Sequence, residues 1–445
     1  MDITFPDSVR CYLVGGAVRD QMMGIQSKDK DYMLTGATPE MLTRLGFQQV
    51  GRDFPVFLHP DSKQEYALAR TEKKSGHGYT GFVTDFHPGV SVEEDLARRD
   101  LTINAMARDE ASDQIIDPFH GQQDLQRRVL RHVSEAFAED PLRVLRVARF
   151  AARFPDFSIA AETLVLMKSL VDSGELQTLT RERVWVELEK TFVENRPSRF
   201  FEVLDEIAAL DILFPELAAM KNIPQRTDYH AEGDVWVHSL MVLEKAHLQA
   251  TENNIEGQQR IALLAASLWH DIGKTVTPQH LLYDEQGNML GRHPGHDNPK
   301  NVLPLLDKLF SRLPFPKLVM QLIRDTATLH IRLHRITDMK PPAIARFFDE
   351  NSFHNKGGED YLKLLAMACK ADLQSRLMTV EGEICEPQDD YPQFEWLLRA
   401  YKLVREVKIG EWINDYKTTY ESSPTTQQIR EAKRKLEIEA LKGLY

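Results

Sequence analysis

A chain of 445 residues with 42% hydrophobic and 27% charged positions has length for about three domains and the composition of an ordinary soluble protein. No apolar run reaches the roughly 18 residues that a membrane-spanning helix needs, and Met1 to Asp7 lacks the basic and apolar regions of a signal peptide. Cys11, Cys369 and Cys385 are scattered and form no Cys-x-x-Cys, so a reduced, cytoplasmic setting is expected. A formal net charge of −12 argues against nucleic acid binding over the whole surface. Yet Gln126 to Arg153 holds seven arginines against three acidic residues, a flank with the charge to hold RNA.

In chain order, the apolar run Tyr12-Leu13-Val14 ends in Gly15-Gly16 and passes into a helix-forming stretch, Ala17 to Met23. Lys28-Asp29-Lys30-Asp31 then opens a second strand. Side chains alternate along a strand, so Asp29 and Asp31 share one face with Cα atoms roughly 6.5 Å apart. Paired carboxylates beside glycines that admit a phosphate suit two Mg²⁺ ions about 3.5–4 Å apart; the same residues also fit a turn with solvated charge. Val50 to His59 and Glu65 to Arg70 read as strands, and Pro39 to Leu45 and Leu96 to Arg108 as helices. Lys73 to Gly81, glycine-rich and poor in apolar residues, reads as a loop. This mixture predicts a small α+β domain over about residues 10–120.

From Glu139 onward strand signals stop and the periodicity is helical. Asp140-Pro141 starts a helix, because Asp caps free N–H groups and Pro fits the first helical position. Arg143, Arg146 and Arg149 follow as one polar stripe, with Val144, Leu145, Val147, Ala148 and Ala151 around the other side; a functional face and a solvated one look alike here. Ten of the fifteen histidines fall between His230 and His354, and metal ligation is the usual reason for such an excess. Within that stretch Trp269-His270-Asp271-Ile272-Gly273-Lys274 sets His and Asp side by side on a predicted helix, with His238 one helix earlier and Asp372 much later. An aromatic tail from about Pro387 ends in a charged helix, Thr426 to Lys442.

Five collinear stretches carry a resemblance: Leu13 to Asp20, Asp29-Lys30-Asp31, Gly51 to Pro60, Arg98 to Ala105 and Glu139 to Arg143. Together they resemble the class II tRNA nucleotidyltransferases, the CCA-adding enzymes, and in particular the bacterial form with an HD domain, over about residues 10–375. The resemblance implies an α+β fold: a polymerase-β-like head with a mixed sheet (1–138), a helical neck and body (139–225), an HD domain (226–375) and a helical tail (376–445). It implies catalytic Asp29 and Asp31 holding Mg²⁺. Gly15, Gly16, Arg19 and Arg99 would meet the triphosphate or ribose, and Asp140, Arg143 and Arg146 would select the nucleotide. Glu65 is a candidate third carboxylate, and Arg98 and Arg149 are further candidates. Cytosine and adenine both present a ring-nitrogen acceptor beside an amino donor, so an Arg donor with an Asp acceptor satisfies either and mismatches uracil and guanine.

The later stretch resembles the HD phosphohydrolases. That implies His238, His270, Asp271 and Asp372 as ligands of a transition metal (Ni²⁺, Mn²⁺, Co²⁺ or Zn²⁺), with His293, His296, His330 and His334 as substrate or second-metal candidates. Thr275 to Arg292 looks long for this subfamily. The implied activities are template-independent addition and repair of the tRNA CCA end from CTP and ATP, and hydrolysis of 2′,3′-cyclic phosphate, 2′-phosphate and other phosphate esters. The implied partners are tRNA, CTP and ATP, with no membrane, in a monomer or homodimer. An A-adding or CC-adding enzyme, a poly(A) polymerase, or an HD phosphohydrolase with a tRNA-binding head are the alternatives.

Overall fold

The computed structural model describes residues 4–27, 30–50, 56–74, 82–385 and 389–445. It forms two compact units, Met1–Leu213 and Phe214–Tyr445.

The first unit is built on a mixed sheet. Its strands are β1 (Arg10–Val14), β2 (Asp31–Thr35), β3 (Gln48–Val50), β4 (Val56–Leu58), β5 (Glu65–Leu68), β8 (Ala107–Asp109) and β9 (Ile115–Ile116), while β6 (Thr71–Lys74) and β7 (Phe82–Asp85) form a separate hairpin. Among the described residues the sheet order is β3-β4-β5-β2-β1-β8-β9, with β2 and β5 parallel and the other neighbours antiparallel. Alternation along β2 sends Met33 into a core with Tyr12, Val14 and Leu96, and Leu34 into one with Phe47, Phe57 and Leu68. Asp31 shares the Met33 face and pairs across the ladder with Val14 on one side and Glu65 on the other. The Gly15-Gly16 turn leaves β1 straight after Val14, so that turn, Asp31 and Glu65 meet at one edge of the sheet.

Sequence and structure differ in four places. The helix expected from Leu96 to Arg108 is instead a short helix, Val92–Ala97, then a single 3-10 turn, Thr102–Asn104, and strand β8. Ser91 and Glu94 cap the short helix reciprocally at 3.2 and 2.8 Å, one turn earlier than expected. Asp100 ends it by drawing in the Leu101 N–H at 2.8 Å and the Asn104 amide at 3.1 Å, local bonds that compete with the helical ladder. The strand read over Val50 to His59 is divided into antiparallel β3 and β4, with 51–55 outside the described residues. Lys73 and Lys74, read as loop, belong to β6; residues 75–81 lie outside the described residues. Strands also persist beyond Glu139, in Ser158–Ile159, which pairs back to Val129–Leu130, and in Met378–Val380 with Glu383–Cys385.

Helices make up the rest, giving the expected α+β class. In the first unit the Leu142–Arg153 helix packs on Arg181–Thr191 and Ser198–Glu206. In the second unit Val235–Glu252, Gly257–Leu268, Lys317–His334 and Glu359–Leu373 form a bundle whose centre holds buried His238, His270, Asp271, His330 and Asp372. No helix among the described residues is long and apolar enough to cross a membrane.

Candidate functional site

In the first unit a cavity of about 590 Å³ opens beside the Gly15-Gly16 turn, lined by nine arginines against three carboxylates. Such a balance attracts a polyanion. Gly15 has a positive φ of 70°, and a Cβ there would lie 2.8 Å from Arg99 Nη1. Glycine therefore lets the Arg99 fork lie over the turn. Arg98 and Arg99 are aimed by buried Asp95, at 2.7 and 3.2 Å. Asp31 lines both this cavity and an adjoining one of about 190 Å³ that Glu65 also lines. Asp29 lies outside the described residues. Two carboxylates on neighbouring strands, offering hard oxygen donors at the rim of an arginine-lined cavity, fit a Mg²⁺ site.

The other cleft residues fall into two groups. Arg19 is 2% exposed: its Nε donates to Asp20 at 2.8 Å, its Nη1 bonds Asn104, and its guanidinium lies 5.4 and 5.1 Å from the Phe150 and Phe154 ring centres. Arg149 is likewise a buried strut, bonded to Glu187 at 2.7 Å and Glu194 at 2.9 Å. The arginine stripe of the Leu142–Arg153 helix thus faces neither bulk water nor ligand uniformly. Arg143, also buried, donates to the carbonyls of Ala136 and Arg98, both at 2.6 Å. Arg146 reaches Asp100 at 2.6–2.7 Å. Burial alone would raise the Asp100 carboxyl, but Arg146 and the Asn104 amide outweigh it and hold it at about 2.

Asp140 is used twice. One oxygen accepts from the Leu142 N–H at 3.0 Å, one residue outside the expected position because the helix starts at Leu142 with Pro141 as its N-cap, and the other accepts from Arg183 at 2.8 Å. Arg183, Asp100 and Asn104 line the cleft without being among the sequence-derived site residues. Asp100 and Asn104 sit inside the quoted stretch Arg98 to Ala105, whereas nothing in the sequence couples Arg183 to an aspartate 43 positions away.

The second unit holds a denser cluster. His270 and Asp271 follow the Gly257–Leu268 helix rather than riding on it, because His270 Nδ1 donates to the Ser267 carbonyl at 2.8 Å and takes the place of the next main-chain donor. His296 Nδ1 and His330 Nδ1 do the same to the carbonyls of His293 (2.7 Å) and Thr326 (3.0 Å). Each of these rings therefore turns its Nε2 to the interior. His238 stands between Glu232 Oε1, 2.8 Å from its Nδ1, and Asp372 Oδ1, 3.1 Å from its Nε2. His270 Nε2 lies 3.2 Å from Asp271 and 3.8 Å from Asp372. On the other side of Asp271, its Oδ1 lies 3.4 Å from His296 Nε2 and 3.6 Å from His330 Nε2.

The electrostatics fit a metal. His296 Nε2 and His330 Nε2 face each other at 3.1 Å, a span that two ligands bonded at about 2.0–2.1 Å to one ion would cover. Burial, with Lys274 beside His296 and His296 beside His330, lowers both imidazoles, so a proton does not resolve the clash of lone pairs. The buried Asp271 Oδ1 finds no well-aligned hydrogen-bond donor. Burial opposes ionisation of Asp271 and Asp372. His270 and Lys274 on the first, and Arg376 on the second, nevertheless hold both well below the carboxylate range. His238-His270-Asp271 and Asp271-His296-His330 each converge closely enough to hold an ion, sharing Asp271, and Asp372 closes the first set.

The remaining histidines do other work. His334 brackets Asp372 at 2.7 Å and meets the Tyr391 hydroxyl at 3.2 Å. His293 is tied through both ring nitrogens, to Thr277 at 2.8 Å and the Pro224 carbonyl at 2.9 Å. His230 and Glu232 support His238 from behind. Hydrogen bonds from both rings overcome burial to hold Glu232 at about 2. These two were outside the sequence-derived set, and the only trace of them was the histidine excess.

Comparison with known proteins agrees segment by segment. Residues 11–131 match the Poly A polymerase head domain, 156–221 the probable RNA and SrmB-binding site of polymerase A, and 235–375 the HD domain. A multifunctional CCA protein of Mannheimia succiniciproducens is 45% identical over 409 residues, 92% of each chain. Among solved structures, a CCA-adding enzyme in complex with CTP aligns with a TM-score of 0.60 at 22% identity, covering 97% of this chain and 87% of that one. The Thermotoga maritima CCA-adding enzyme complexed with tRNA aligns with a TM-score of 0.55 at 21% identity, covering 98% and 88%. These two likenesses carry the fold. Identity sustained at nearly half of all positions across head and HD segments alike goes further: the chain belongs to the multifunctional CCA protein family.

Proposed function

We propose that this enzyme adds and repairs the 3′-terminal CCA of tRNA from CTP and ATP without a template, and that its HD centre hydrolyses phosphate esters at RNA ends. The observation that carries the first activity is the cleft in which the Gly15-Gly16 turn, Asp31, Arg99, Asp140 and Arg143 meet. The tRNA 3′-oxygen bonds to the α-phosphorus of the nucleotide, the bond to the β-phosphate breaks, and pyrophosphate leaves. Mg²⁺ held by Asp29 and Asp31, with Glu65 adjacent, supplies Lewis acidity to that exchange. The Gly15 N–H is held by the Met106 carbonyl at 3.2 Å, so the Gly16 N–H is the one turned to the phosphates, and Arg99 and Arg146 offset their charge. Asp140 accepts from the exocyclic amino group of cytosine or adenine, Arg143 donates to the ring nitrogen, and Arg183 aligns the Asp140 carboxylate.

In the HD centre His238, His270, Asp271 and Asp372 would hold one divalent ion, and Asp271, His296 and His330 could hold a second; imidazole-rich ligation suits Ni²⁺, Mn²⁺, Co²⁺ or Zn²⁺. Such ions activate water and polarise the phosphoryl oxygen. Lys274 and Arg376 keep the two carboxylates ionised. Substrates of tRNA, CTP and ATP support a cytoplasmic setting for both activities.

Incubating tRNA that ends in its discriminator base with labelled CTP and ATP tests the reading. Complete CCA ends are expected, and Asp29→Ala should abolish them while phosphatase activity persists. Incorporation of only one of the two nucleotides would make the enzyme a partial adder, and none would overturn the assignment.

A further inference from the structure

A cavity of about 430 Å³ borders the HD centre and has no role in the account so far. That volume lies within the ~300–1,000 Å³ typical of small-ligand pockets. Its lining includes Lys274, His296 and Arg376 on the centre's side, and Arg226, Tyr229 and Arg292 further out. No carboxylate lines it. Arg292 makes no ion pair among the described residues, so it offers unspent positive charge at the mouth. Tyr229 is 51% exposed, and the Arg226 guanidinium lies 5.1 Å from its ring centre.

The main chain that carries Tyr229 is tied down beside the HD centre. Tyr229 N donates to Arg226 O at 3.1 Å and His230 N to the same carbonyl at 2.8 Å. The next residue, Ala231, bonds the Leu377 carbonyl at 2.8 Å. His230, directly after Tyr229, sets its ring 4.8 Å from that of His238. Across the cavity, Gly291 has a φ of 53°, and a Cβ there would come within 2.6–2.7 Å of the Gln225–Arg226 main chain. The long segment after the His-Asp pair therefore closes onto Arg226 and forms a wall of the pocket.

We infer that Tyr229, backed by Arg226, is a stacking platform for the base of a nucleoside phosphate whose phosphoryl group enters the HD centre. This rests on the phosphohydrolase reading of that centre. Bases stack on aromatic rings and on arginine planes with little dependence on identity, so the platform distinguishes nucleotides from other phosphate esters rather than one base from another. In the reaction, a water oxygen bonds to phosphorus, the bond from phosphorus to one ribose oxygen breaks, and that oxygen takes up the proton released by the water.

The test uses the full-length enzyme loaded with Ni²⁺ or Mn²⁺ and two substrates: adenosine 2′,3′-cyclic phosphate, and glycerol 1,2-cyclic phosphate, which has the same five-membered phosphodiester ring without a base. Tyr229→Ala should raise KM for the adenosine substrate roughly five- to a hundredfold, the range that loss of one stacked aromatic produces, and leave glycerol 1,2-cyclic phosphate hydrolysis unchanged. Tyr229→Trp should retain the low KM, and the cytidine and guanosine substrates should behave as the adenosine one does. An unaltered KM for the adenosine substrate in Tyr229→Ala, or equal losses on both substrates, would overturn the platform. Failure of the unmutated enzyme to hydrolyse either substrate would instead overturn the phosphohydrolase reading and the platform with it.

Discussion

Asp140 spends one oxygen on the main chain of its own helix and the other on Arg183, which fixes where its remaining lone pairs point. If Asp140 selects the base as proposed, selectivity for cytosine and adenine would depend on that orientation more than on charge. Asp140→Ala should relax base choice more than it slows transfer, and Arg183→Ala should do the same to a lesser degree; competition assays with all four NTPs read both. Asp100 makes a different prediction. Its folded value of about 2 lies below the unperturbed 3.8, so its contribution is complete above pH ~4 and disappears as pH falls through 2. The depression corresponds to about 2 kcal/mol. Urea titrations of the first unit from pH 5 to pH 2 should show that loss, and Asp100→Asn should shrink it.

Among elements, the turn after the Gly257–Leu268 helix carries the most consequence. A Cβ on Gly273 would fall 1.9 Å from the His296 carbonyl oxygen and 3.0 Å from Val302, so the chain bearing one candidate ligand lies directly against the turn bearing two others. Gly273→Ala should lower phosphohydrolase activity at least tenfold, order of magnitude, by displacing His296, with CCA addition unchanged as the control. That glycine stands beside the His-Asp pair in the sequence, but the contact that requires it comes from a segment 23 residues on. The same limit governs the rest of the comparison between sequence and structure. Strand alternation and helical periodicity revealed the head and the helical remainder because both are local. The single helix drawn through Arg98 to Asn104 failed where side chains bond back to their own turn. The long-range partners of Arg19 (Asn104, Phe150 and Phe154), Arg149 (Glu187 and Glu194) and Asp140 (Arg183) could not be read, since each is chosen by packing between distant segments.

At the scale of the whole molecule, each unit carries candidate metal donors of its own chemical character: hard oxygens at Asp31 and Glu65, mostly imidazoles around Asp271. The two activities should separate by metal. After chelation, Mg²⁺ alone should restore nucleotide incorporation, whereas phosphate-ester hydrolysis should return only with Ni²⁺, Mn²⁺, Co²⁺ or Zn²⁺; parallel assays on one stripped preparation would detect a shared requirement if it exists. The pair of imidazole nitrogens that confront each other at 3.1 Å gives this separation a thermodynamic edge. An ion seated between the two nitrogens would relieve their mutual repulsion, a gain with no counterpart in the arginine-lined cleft. Scarcity of transition metal in a cell would therefore soften the repair-like hydrolase first, leaving the nucleotide-adding machinery to work alone.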